Sequence, residues 1–130
     1  MKLLLDTHVW IWFEAAPDQL SRTAQLRLAD PANQLFVSVV SAWEFLLLWG
    51  KKRVLPDRDG PDWLRRVLAG SRYQICALTL EAILASGEIQ LATRDPADRL
   101  LAATARALDL TLLTADRVLL AGRGFSFLRA

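Results

Sequence analysis

Glu44 interrupts an apolar run, Val39-Val40-Ser41-Ala42-Trp43-Glu44-Phe45-Leu46-Leu47-Leu48-Trp49. On a helix its neighbours three and four residues away are Val40, Ser41, Leu47 and Leu48. Such a helix should be buried over most of its circumference. A carboxylate left unpaired there is expensive, or gives up its charge. Lys51, the nearest base, lies a further turn away. The missing positive charge is therefore a distant Arg or Lys, or a bound cation.

Other acids stand where helices should begin. Asp6 follows Leu3-Leu4-Leu5, and Asp116 follows Leu112-Leu113-Thr114-Ala115. Each is suited to capping a helix, because Asp accepts hydrogen bonds from free N–H groups there. Asp95 with Pro96 next is a helix-start signature. Asp98 then falls on the first turn, where a carboxylate gains from the helix dipole. Taken singly, each of these four has a capping or dipole explanation, and Glu44 has none. Taken together, Asp6, Glu44, Asp98 and Asp116 would crowd and repel. Hard divalent cations such as Mg²⁺ and Mn²⁺ resolve that repulsion, since they favour carboxylate and water oxygens. One or two such ions suit phosphodiester hydrolysis.

The elements that must position these acids alternate. Leu3–Leu5 reads as a strand, followed by a helix through Trp10, Trp12 and Phe13 that Pro17 ends. Ser21 to Ala29 reads as an amphipathic helix. Leu35–Ser38 is a second strand, leading into the Glu44 helix, and Pro56 to Pro61 is a turn-rich break. Trp63–Leu68 and Leu80–Leu91 should be helices, with an extended piece at Tyr73–Ala77 between them. A helix should open at Asp95 and end near Leu108. Thr111–Leu113 is a strand, a short helix follows Asp116, and Phe125–Leu128 is a last strand. This alternation predicts an α/β domain with a mainly parallel sheet. In such sheets, sites form at the carboxyl ends of strands, near a switch in strand order.

Composition sets the frame. A chain of 130 residues is expected to be one domain, residues 1–130. At 53% hydrophobic and 23% charged it should be globular. A single cysteine, Cys76, excludes an internal disulfide and a Cys-rich zinc site. No apolar run reaches membrane-spanning length, so the expected localisation is cytoplasmic, with no membrane partner. Net charge is +2. From Lys51 to Arg72 seven basic residues face three acids, with Lys51, Lys52 and Arg53 adjacent. That cluster could follow an RNA backbone, or be a solvated helix end. Arg99 could meet phosphate or pair with an acid. His8, the only histidine, reads as a helix-face residue with a structural hydrogen bond. Core packing is expected for Trp43, and at least one of Trp10 and Trp12 should reach the surface.

Four segments in order carry a family resemblance: Leu3-Leu4-Leu5-Asp6-Thr7-His8-Val9-Trp10, Val37-Ser38-Val39-Val40-Ser41-Ala42-Trp43-Glu44, Arg94-Asp95-Pro96-Ala97-Asp98-Arg99-Leu100-Leu101-Ala102-Ala103-Thr104-Ala105, and Leu112-Leu113-Thr114-Ala115-Asp116. The chain resembles PIN-domain ribonucleases, in particular the VapC-type toxins of toxin–antitoxin pairs. The resemblance implies a three-layer α/β/α sandwich with a small, mainly parallel sheet. It implies Asp6, Glu44, Asp98 and Asp116 as the catalytic, metal-binding acids for Mg²⁺ or Mn²⁺. Thr114, Asp95 and Thr7 would be supporting residues. RNA would be the substrate, cleaved to 5′-phosphate and 3′-hydroxyl ends. A cognate antitoxin would be the partner, its C-terminal segment wrapping the toxin; the surplus tryptophan surfaces could anchor that segment or serve a homodimer. Relatives of this kind commonly carry Gly where this chain has Lys52 and Asp109, and many show a His-rich element before the Asp95 position that is missing here.

Three other functions stand beside this reading. A PIN-type nuclease in RNA processing would need no antitoxin. A Mg²⁺-binding phosphoacceptor domain would show paired acids after the first strand and a Lys after a late one. The chain has Asp6-Thr7 and Leu128-Arg129 at those places. A catalytically silent interaction domain would have no use for all four acids.

Overall fold

Leu3, Leu4 and Leu5 are wholly buried although they are consecutive. A strand points alternate side chains to opposite faces, so both faces of this one must be covered. Leu3 and Leu5 belong to one hydrophobic core and Leu4 to another. The computed structural model describes residues 1–130. Strand β1 (Lys2–Leu5) leads to helix α1 (Thr7–Ala15), a 3-10 turn (Pro17–Gln19) and α2 (Arg22–Ala29). Strand β2 (Gln34–Ser38) leads to α3 (Val39–Gly50) and α4 (Gly60–Ala69). Strand β3 (Tyr73–Cys76) leads to α5 (Leu80–Ser86) and α6 (Pro96–Ala107). Strand β4 (Thr111–Thr114) leads to α7 (Arg117–Leu120) and β5 (Ser126–Arg129).

The sheet has five strands in the order β3-β2-β1-β4-β5, and every pairing is parallel. One core joins Leu3, Leu5 and Leu113 to α1, α2 and α4 through Val9, Trp10, Ala24, Leu28 and Trp63. The other joins Leu4 and Leu112 to α5, α6 and α7 through Ala85, Leu101, Ala102 and Leu119. Helix α3 contributes Phe45 to the first and Val40 to the second. The result is a three-layer α/β/α arrangement. Chain order runs outward from β1 in one direction through β2 and β3, and in the other through β4 and β5. The strand order therefore reverses between β1 and β4, the place where open α/β sheets leave a crevice at their carboxyl edge.

Two elements depart from the sequence reading, and a third is fuller than it. Helix α5 ends at Ser86 with Gly87 as its cap, well short of Leu91. Ile89 and Leu91 are buried all the same, so apolar periodicity persisted past the helix it was meant to mark. Helix α4 starts at Gly60, capped by the Asp59 side chain, which accepts from the Asp62 N–H at 3.0 Å. Pro61 thus opens a helix rather than closing a break. Gly60 is required there, because a Cβ would lie 2.5 Å from the Trp49 ring, whose Nε1 donates to the Arg58 carbonyl at 2.9 Å. Tyr73–Cys76 is a full strand, paired with β2 along its length.

Lys52 and Asp109 both have left-handed backbone, with φ of 58° and 54°. These are the two positions at which the family resemblance leads one to expect glycine. An L-residue there costs roughly 1–2 kcal/mol, less for Asp, while Gly adds about 0.4–1 kcal/mol of unfolded-state entropy. Lys52 is exposed, so nothing else opposes the exchange. Lys52→Gly should raise unfolding stability by about 0.5–1 kcal/mol. Urea denaturation reads this directly, and a destabilised variant would contradict it.

Candidate metal and catalytic site

Three of the acids are aimed by the helices they cap. Asp6 caps α1, with one carboxylate oxygen accepting from the Thr7 N–H at 2.8 Å. Asp116 caps α7, accepting from the Val118 N–H at 2.7 Å. Asp95 caps α6, accepting from the Ala97 N–H at 2.9 Å, and Asp98 lies on that helix's first turn. Capping and clustering are not alternatives here. The caps fix where the carboxylates stand, and the parallel sheet gathers the caps at one edge.

Six polar or charged residues are buried, and only Thr104 lies away from this edge. Asp6 is 6% exposed. Its second carboxylate oxygen accepts from the Thr114 hydroxyl at 2.7 Å, and that hydroxyl accepts from the Asp116 N–H at 3.0 Å. Thr114 therefore bridges the ends of β1 and β4 at the reversal point. The Thr7 hydroxyl donates to Ser41 Oγ at 2.9 Å, tying α1 to α3. Ser38 Oγ accepts from the Val40 N–H at 3.0 Å and starts α3 at the end of β2.

The tightest grouping is Glu44, Asp95 and Asp98, with one carboxylate oxygen from each within 4.8 Å of the others. Asp95 thus stands nearer the centre than a flanking position would put it. Its capping signature is a sufficient local explanation, so nothing in the sequence singles it out. Asp98 is pushed up to about 7 by burial, then by the charges of Asp95, Asp6, Asp116 and Glu44. Asp6 is pushed up to about 6, mainly by burial, against the hydrogen bonds from Thr114 and Thr7. Asp98 therefore feels all four of the other acids. None of the three ion pairs in the molecule involves any of them. An all-oxygen, all-anionic donor set at this spacing fits a hard divalent cation.

Several expectations need correction. Glu44 is half-buried, because α3 leaves Val39, Trp43, Leu46 and Leu47 at the surface. The cost of full burial therefore does not apply, although the unpaired state does. Trp43 is 49% exposed rather than in the core. Of the other pair, Trp10 is wholly buried, its Nε1 without a hydrogen-bond partner, and half-buried Trp12 is the one that reaches the surface, as expected. His8 is exposed and makes no hydrogen bond; its ring lies 5.6 Å from that of Trp12. Arg99 donates to the carbonyls of Ser86 and Leu91 at 2.9 and 2.8 Å, latching the segment before α6 rather than pairing with an acid. Lys51 and Arg53 share a cavity of about 260 Å³ with Glu44 and Asp95. Lys52 is exposed beside them.

Comparison with known proteins agrees with this geometry. The PIN domain family matches residues 3–122. Ribonuclease VapC22 of Mycobacterium tuberculosis is 31% identical over 118 residues, covering 88% of this chain and 87% of that protein. The structure is similar to VapBC2 from Rickettsia felis bound to a promoter DNA fragment, with a TM-score of 0.72 and 18% identity over 100% of this chain and 99% of that one. It is also similar to DNA-bound VapBC from Salmonella typhimurium, with a TM-score of 0.66 and 18% identity over 99% and 98%. At those identities the two structures speak for the fold.

The raised carboxyls have a measurable consequence. Asp6 and Asp98 bind protons more tightly in the fold than in the unfolded chain, from the ordinary value of 3.8 up to about 6 and about 7. Across that window the folded state holds more protons, so their contribution to stability falls as pH rises, and the penalty is complete above about 7. In EDTA, the stability difference between Asp98→Asn and wild type should swing in favour of the variant as pH rises through this window. Thermal midpoints against pH would show it; a difference independent of pH would mean that the acids do not converge.

Proposed function

The chain belongs to the PIN-domain family, and from that premise we propose that it is a metal-dependent endoribonuclease, the toxin of a toxin–antitoxin pair. The observation that carries this reading is the convergence of Asp6, Glu44, Asp95, Asp98 and Asp116 with no basic partner. Mg²⁺ or Mn²⁺ held by Glu44, Asp98, Asp6 and Asp116, with Asp95 beside them, would supply an activated water and neutralise phosphate charge. The remaining work belongs to the chain. Thr114 and the Thr7 N–H keep the Asp6 carboxylate fixed. Lys51 and Arg53, lining the cavity beside Glu44 and Asp95, with Lys52 nearby, would draw the RNA backbone toward acids that otherwise repel it. No side chain need act as a covalent nucleophile.

The partner proposed is a small antitoxin whose segment wraps the toxin and aims a basic side chain at the acids. The same charge that attracts a cation attracts Arg or Lys, so ion and antitoxin should compete. Exposed apolar surface offers room for protein contacts: Trp43, Leu46 and Leu47 on α3, and Leu80, Ile83 and Leu84 on α5. Patches of this kind commonly mark interfaces, and we assign them to the antitoxin and to a homodimer. No helix is long and apolar enough to cross a membrane.

Purified protein should cleave RNA in Mg²⁺ or Mn²⁺ and lose that activity in excess EDTA. Asp6→Asn, Glu44→Gln, Asp98→Asn and Asp116→Asn should each lower kcat by more than the roughly 10–100-fold typical of residues that only support metal ligands, with the fold retained by circular dichroism. A fully active Glu44→Gln would remove the metal assignment at its most informative residue.

Co-expression with the neighbouring small open reading frame should give a copurifying complex and relieve growth arrest. If neither occurs, the protein is a PIN-type nuclease in RNA processing.

A further inference from the structure

A recess of about 250 Å³ opens beside Asp6 and Asp116, with Val9, Ala115 and the rings of His8 and Trp12 completing its lining. His8 and Trp12 are four residues apart on α1, so both rings rise from one face of the helix. Their centroids are 5.6 Å apart and their planes tilted by 50°. His8 is exposed and its ring makes no hydrogen bond; its one aromatic contact is with Trp12 and its outer face is free. Ala115 projects only a methyl group and leaves the recess open. The volume falls below the roughly 300–1,000 Å³ of pockets for drug-sized ligands, so the occupant is of single-ring-system size.

We propose that this recess is a nucleobase subsite, holding one base of single-stranded RNA against Trp12 and His8 while the adjoining phosphodiester lies over the acids. The inference rests on the nuclease reading above. Aromatic faces are stacking platforms for any base, and proteins that read single-stranded RNA splay bases onto such rings. The placement favours RNA over an antitoxin side chain. The aromatic pair opens directly onto Asp6 and Asp116, so a base seated there brings its own phosphate to the acids. An apolar side chain would bring a neutral backbone.

The test uses the full chain with Mn²⁺ and single-stranded RNA oligonucleotides in which one base at a time is removed. For wild type, removing the base at one position beside the cleaved bond should raise KM about tenfold, the scale of one stacked base. Trp12→Leu and His8→Ala should lose that sensitivity, intact and abasic substrates becoming alike, whereas Trp12→Phe should retain it. Trp12 packs partly against the core; should its leucine variant unfold, exposed His8 decides the matter alone. The proposal is overturned if no abasic position affects wild-type KM, or if both variants respond to base removal as wild type does. Loss of antitoxin binding with unchanged abasic sensitivity would make the recess a peptide subsite and also overturn it. Wild type that cleaves no RNA in Mn²⁺ would instead sink the nuclease reading beneath it.

Discussion

Like charges are held together at the one place where this sheet changes direction, and most of the molecule serves that constraint. Asp6 ends β1 and Asp116 follows β4, the two strands that part at the reversal. Thr114 joins them with a single hydroxyl that accepts from one residue and donates to the other. Burial raises Asp6 to about 6, and burial together with the neighbouring acids raises Asp98 to about 7. Such a site opposes folding in the absence of a cation. Two cores, one on each face of the sheet, must outweigh it.

Much of this was legible because the signals are local. Proline after Asp95, an apolar triplet before Asp6 and the pair Leu112-Leu113 before Thr114 each fix an element without help from tertiary structure. Parallel pairing followed from alternation, and the common edge followed from parallel pairing. Two of the three left-handed non-glycine positions, Lys52 and Asp109, stood out against a resemblance that expects glycine, while Leu55 did not. These are backbone demands, which a sequence records at the residue concerned.

What escaped was mostly environmental. The α3 sequence is apolar nearly all round, and such a helix is usually buried. Here one side meets both cores through Val40 and Phe45, while Trp43 and Leu47 face outward. Sequence cannot distinguish apolar surface kept for this chain's core from apolar surface left outside it. Asp95 was hidden by having a sufficient local explanation. Arg99 looked available for an acid, yet two backbone carbonyls from a separate segment claim it. The i, i+4 pair of His8 and Trp12 gained meaning only once Ala115 and Asp116 arrived beside it from the far end of the chain.

The surroundings of the acids are unlike on their two sides, and that asymmetry does what the acids cannot. A cluster of carboxylates with a cation recognises a phosphodiester but has little means of choosing which way a strand runs through it. On the side of Glu44 and Asp95 the walls carry Lys51, Arg53 and Trp43. On the side of Asp6 and Asp116 they carry His8 and Trp12 and no basic side chain other than histidine. Under the proposed function, one flank would attract backbone charge and the other would stack a base. A strand threaded in one direction meets both demands, and the reverse threading presents each flank with its groups in a different order. Strand polarity can thus be set by helices α1 and α3, leaving the acids themselves free to be arranged for chemistry alone.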